Sequence, residues 1–565
     1  MRFRLLLFRR AAVQNPQRTF AQSTAARSGL RYRPQVPFLS VPTTTAARVR
    51  YLTTERKAQL KYEIKTGIKY VGYIWVAGIC VVVAWVAIGQ ELLERRYPTP
   101  HEWRYMTRYH FRGGHTARYE PPPGRITDWL QVGWWAERTI QRLQDPSIDG
   151  KDVKDAPSDY PPGTKDVSAK SENWRRGYYE ALMLYAKAAE HMEGWVVDKS
   201  RKILFPPGVM IGPSNPYPKP LPPGYKGAPK EEDCELRFES PDTVYLRILS
   251  TVGFTNRQRI EAGLAYASWL DYKGITGPAS IILEDAVHLA ASERHDLPSE
   301  PLDNKSWTLN DTAGPPSENL LNALTAYATF RARHGDVSSA LSILVSILRA
   351  RRSLPAPPST TLASTLRSPA PSKTGPWSIL SAIFTPPAYP PPPPDGTAPP
   401  VRDAGELCQE AALSLHIGEI MYASSNASSS SKEEGLAWTR EAVDIAEEQL
   451  HKLPAGARDK DAARATCREC LATGLGNWAT MVARLAREEE ETAAARRRKD
   501  KDGAAAGRGW FGSLWGEGVA KAEDTSLPNR WTAEQKVIEE RQRRVKDVLE
   551  DLKPLPRGWQ SWLTA

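Results

Sequence analysis

The first 54 residues contain no aspartate, no glutamate and no lysine, yet they hold ten arginines: Arg2, Arg4, Arg9, Arg10, Arg18, Arg27, Arg31, Arg33, Arg48 and Arg50. The net charge of +11 over 565 residues is therefore the charge of a leader, because residues 55–565 set 66 basic groups against 65 acidic ones. A nucleic-acid-binding protein carries its basic excess on its folded part, so that class is excluded. Five scattered cysteines, Cys80, Cys234, Cys408, Cys467 and Cys470, are too few for a disulfide-built secreted domain, and the core must be hydrophobic. The chain has no Gly-x4-Gly-Lys-Ser/Thr phosphate loop, no Gly-x-Ser-x-Gly nucleophile elbow and no His-Glu-x-x-His zinc pair. No catalytic, cofactor-binding or metal-binding residue is therefore named, and no cofactor is expected. Only one apolar run is long enough to cross a bilayer, which excludes a multi-helix permease or channel.

The acid-free leader is rich in Arg, Ser, Thr and Ala, the composition of a mitochondrial transit peptide. Its opening residues place Phe3, Leu6 and Leu7 on one helical face beside arginines, and a secretory signal would need a longer apolar run. The stretch Arg48 to Thr53 resembles a presequence cleavage site, so residues 1–51 are read as the transit peptide, with maturation near Tyr51. Tyr70 to Gly89 is an uncharged stretch of 20 residues, enough at ~1.5 Å each to cross ~30 Å of hydrocarbon, with Tyr70, Tyr73 and Trp85 near its ends. A leader followed by one stop-transfer helix places the remainder in the intermembrane space, anchored in the inner membrane.

Sliding the chain against itself by 61 residues exposes an internal repeat. Ala265-Tyr266-Ala267 matches Ala326-Tyr327-Ala328, Gly274 matches Gly335, Ala279 matches Ala340, and Leu283 matches Leu344. Small residues that let two helices approach, a glycine for the turn and a leucine for the groove describe a helical hairpin. These spacings resemble the tetratricopeptide (TPR) pattern. Tyr178, Ala181, Tyr185 and Ala188 match its second helix, Ile417-Gly418 and Leu475-Gly476 match its first, and Ala442-Val443 ends a further second helix.

The expected fold is all-α: one transmembrane helix followed by a degenerate TPR-like hairpin solenoid with proline-rich insertions such as Pro206 to Pro229. Residues 97–352 form the first helical domain. Residues 353–400, with 15 prolines between Ser353 and Pro400, form a linker that can be neither helix nor central strand. As a recognition ligand the prolines would need SH3 or WW partners, which are cytosolic. Residues 401–490 form a second helical block, 491–530 a flexible charged linker, and 531–565 a C-terminal helix.

In its order of parts the chain resembles the fungal inner-membrane TPR subunits that serve as substrate adaptors of the i-AAA protease. The local likeness lies in Tyr178 to Ala188, Ile260 to Tyr266 and Ala279 to Val287, and covers residues 60–350. The resemblance implies a non-enzymatic subunit whose partners are the protease and unfolded membrane-protein segments. Tyr266, Trp269, Tyr327 and Phe330 are the expected lining of its binding groove. A scaffold or assembly factor would use the same solenoid for folded partners. A thiol oxidoreductase built on Cys467-Arg-Glu-Cys470 is the enzymatic alternative.

Overall fold

Tyr70 to Gly89 contains no proline to break a helix, and in the computed structural model α1 (Thr54–Arg96) runs through all of it. The structure describes residues 54–122, 124–157, 159–293, 299–355, 389–424, 429–453, 461–506 and 530–550, so the expected transit peptide lies outside it. Two compact units are present, residues 1–84 and 85–565. In the first, Ile74, Trp75, Val82 and Val83 of α1 are all exposed. Among the described residues α1 alone is long and apolar enough to cross a membrane, judged by length and composition.

The second unit is mostly helical. Its elements are α2 (Tyr105–Tyr119), α3 (Trp129–Gln144), α4 (Glu172–His191), α5 (Pro241–Ser250), α6 (Asn256–Tyr272) and α7 (Thr276–Ala291), then α8 (Glu318–Arg333), α9 (Val337–Arg352), α10 (Ala404–Ala423), α11 (Ser429–Lys452), α12 (Asp461–Ala506) and α13 (Arg530–Glu550). From α2 onward each helix packs on the next, and α4, α6, α8, α10 and α12 also touch in succession to make one row.

The 61-residue period of the sequence is the period of the helix boundaries. Helix α7 spans Thr276–Ala291 and α9 spans Val337–Arg352, while α6 ends at Tyr272 and α8 at Arg333. Both hairpins turn on a glycine in the left-handed region, Gly274 at φ +77° and Gly335 at φ +92°, where a Cβ is disfavoured. Ala267, Ala279, Ala328 and Ala340 are buried, as are Leu283 and Leu344. Side-chain caps start the helices: Thr255 and Gln258 form a reciprocal capping box on α6, Ser317 caps α8, and Asp336 caps α9. Tyr178, Ala181, Tyr185 and Ala188 are buried on α4, which stands in the row of first helices and not in the second-helix place expected for it.

Three expectations are corrected. The insertions are not wholly irregular: β1 (Lys154–Asp155) pairs antiparallel with β2 (Lys165–Asp166), and β3 (Val196–Asp198) lies between β4 (Ile203–Phe205) and β5 (Cys234–Leu236). Helix α12 continues to Ala506 through the first part of the expected 491–530 linker, since Glu488 to Lys499 is a charged but helix-favouring run. The two helical blocks are joined directly. Leu413 and Ile417 of α10 belong to the core of the first block, while Cys408, Ala411 and Leu415 belong to the second. Charge closes the same junction, with Arg351 on Glu406 and both Arg352 and Arg402 on Glu410, the latter two at 2.9 and 2.8 Å.

Candidate functional site

Five consecutive prolines, Pro390 to Pro394, offer carbonyl oxygens and no N–H, so the segment can only accept main-chain hydrogen bonds. The structure provides the donors. Residues 389–398, expected as part of a proline-rich linker or long loop, lie as an extended strap across the N-terminal turns of α4, α6 and α8. Arg176 Nη1 donates to the carbonyls of Pro390 (3.4 Å) and Pro391 (3.2 Å), and its guanidinium stands 5.3 Å from the Tyr389 ring centroid. Arg257 Nη1 donates to Pro394 O at 2.7 Å. Asn319 donates twice, through Nδ2 to Asp395 O (2.8 Å) and through its main-chain N–H to Gly396 O (3.1 Å). The Glu318 N–H reaches Ala398 O at 3.3 Å. The last two donors are first-turn N–H groups of α8, which have no partner inside their helix.

The arginines are aimed by a repeated device. Arg176 is paired through Nε with Glu180 at 3.1 Å, and Arg257 through Nε with Glu261 at 3.0 Å, each one helical turn away. In both cases the carboxylate takes Nε; Nη1 of Arg176 faces the strap, and Nη1 of Arg257 is shared between the strap and Glu318 at 3.6 Å. Glu293 orients the third donor by accepting from Asn319 Nδ2 at 3.0 and 3.1 Å. Burial pushes the Glu180 carboxyl above its ordinary range, while Arg176 pulls it back. Burial likewise raises the Tyr389 phenol, with the nearby Glu180 adding to the shift. A cavity of ≈ 180 Å³ remains between strap and wall, lined in part by Tyr179, Glu180, Gln258, Pro392 and Pro393.

The four aromatics expected to line a groove are core residues. Tyr266 and Trp269 are 7% and 6% exposed and stack on each other, and Tyr266 donates its hydroxyl to Asp242 at 2.9 Å. Tyr327 and Phe330 are 3% and 6% exposed, the first under Trp307 and bonded to Glu284, the second against His334. Helical spacing marks an inward face and an apolar groove alike, which is why the pattern did not separate them. The Cys467-x-x-Cys470 pair is also corrected. Cys467 is bonded to Cys408 of α10, and Cys470 is free and buried, its thiol pushed up to about 12 by burial. His288 packs on Trp307, and His295 lies outside the described residues. Among the described residues no cluster of three His, Cys, Asp or Glu side chains could hold a metal ion.

Arg176, Arg257 and Asn319 were not singled out by the sequence reading. The available signal was Arg-x3-Glu near the start of two helices in the same row, at 176/180 and 257/261. Compared with protein-family models, curated proteins and solved structures, the chain matches none of them.

Proposed function

We propose that this chain is a membrane-anchored, TPR-like helical adaptor of the mitochondrial inner membrane that presents unfolded segments of membrane proteins to the i-AAA protease. The observation that carries the reading is the seating of an extended segment on the row of first helices through its main-chain carbonyls. Recognition through main-chain carbonyls suits a partner that arrives as extended, unfolded chain. The packing of each helix on its neighbours, with two hairpins spaced 61 residues apart, supports a degenerate solenoid. The acid-free, arginine-rich leader supports the mitochondrial address, and α1 supports a single-span anchor. A bond between Cys408 and Cys467 suits a compartment more oxidising than the matrix. Tethering near the protease raises the effective concentration of captured segments without demanding tight binding.

The test is pulse-chase degradation of a model inner-membrane substrate in cells without this protein. Slower turnover is the expected outcome. Unchanged half-lives, with an inner-membrane complex failing to assemble, would replace the adaptor reading by that of a scaffold.

A further inference from the structure

We infer that the wall formed by Arg176, Arg257 and Asn319 is a binding site for proline-rich extended segments of other proteins, and that residues 389–398 are its built-in competitor. The inference deepens the adaptor reading and rests on it for the claim that partners arrive as extended chain.

The chemistry of the contacts selects the ligand class. All the hydrogen bonds named between wall and strap run in one direction, from donors on α4, α6 and α8 to carbonyls of Pro390, Pro391, Pro394, Asp395, Gly396 and Ala398. Pro391 to Asp395 are exposed on their outer side, so an N–H there would meet water, and the selection lies in the conformation of the chain. A proline run is pre-extended in the polyproline II form, whose carbonyls are free of internal bonds, so it presents acceptors to these donors with little loss of ordering entropy on docking. The same wall would accept such a segment from another chain if the strap were absent.

The strap is held so that it can yield. On its C-terminal side the chain is pinned to α9 and α10, where Arg402 N–H donates to Pro355 O (3.1 Å) and Arg402 Nη1 to Arg352 O (3.1 Å). Residues 389–394 depend on two arginines whose carboxylate partners remain in place when the strap leaves. Gly396 is the buried point of this contact, packed on Asn319. Its φ is +72°, and a Cβ there would lie 2.2 Å from Asn319 Oδ1.

The experiment uses the full chain in nanodiscs and a fluorescein-labelled peptide, Tyr-Pro-Pro-Pro-Pro-Pro-Asp-Gly-Thr-Ala-Pro-Pro, read by anisotropy. The wild-type chain should bind it weakly. Changing Pro390 through Pro394 each to Ser should tighten binding by about tenfold or more, because the cis competitor is weakened. Adding Arg176→Ala and Arg257→Ala should remove that gain. A peptide with alanine for the five consecutive prolines should bind about tenfold more weakly. Gly396→Val displaces the strap without touching a proline, and should give the same gain if the serine variant melts early. Equal affinity in wild type and both strap variants would overturn the proposal, as would equal binding of the alanine peptide. Peptide binding that behaves as expected beside unchanged substrate turnover would refute the adaptor reading and leave the site standing.

Discussion

Gly418 and Gly476 each follow a large aliphatic residue and look equivalent in sequence, but they differ in what surrounds them. A Cβ on Gly418 would stand 2.7 Å from the Gly435 carbonyl oxygen, and one on Gly435 would stand 2.8 Å from that of Gly418, so α10 and α11 cross with their backbones in contact. Around Gly476 nothing lies within 4 Å. Gly418→Ala should therefore destabilise the protein by about 2 kcal/mol, as overpacking against rigid backbone does. Gly476→Ala should stabilise it by about 0.5–1 kcal/mol through helix propensity alone. Urea denaturation of the two variants measures both. His115 supplies a second residue-scale expectation. Its ring lies 4.4 Å from that of Phe111, its Nε2 is buried without a partner, and burial, helped by the charge of Arg118, pushes its pKa down to about 4. An unfolded histidine titrates near ~6.5, so between about pH 6.5 and 4 the unfolded chain binds a proton that the folded chain refuses. Stability is lost as pH falls through that window, by roughly 2 kcal/mol at pH 5. Melting curves from pH 7.5 to 5 should fall less steeply for His115→Phe than for the wild type.

At the scale of elements, legibility followed the kind of signal. The hairpins α6/α7 and α8/α9 were readable because helix periodicity, a turn glycine and small contact residues recur together at one spacing, and α1 was readable because solvent demands a long uncharged run. The Cys408–Cys467 bond was not, since pairing depends on how α10 meets α12 across 59 residues of chain. The strap was missed for a related reason. Proline content rules out helix and sheet but is silent on docking, and the decisive donors lie 214 and 137 residues earlier in sequence. The short strands were hidden because segments of two or three residues carry no period. The disulfide has a measurable weight. Closing a loop of that length restricts the unfolded chain by about 4 kcal/mol in the chain-entropy account. Cys408→Ser combined with Cys467→Ser should lower the melting point of the protein, and added reductant should then cause no further change.

At the scale of the whole molecule, a row of hairpins that touch only their neighbours has no reason to unfold together, because a nearest-neighbour chain can fray from either end. The strap alters that connectivity. Residues 389–398 touch α4, α6 and α8 and lead on into α10, so one extended segment is bonded to three helices of the row and continuous with a fourth. Releasing that segment removes contacts from three helices at once, which couples units that would otherwise open separately. Hydrogen exchange in α4, α6 and α8 is accordingly tied to residues that lie outside every helix.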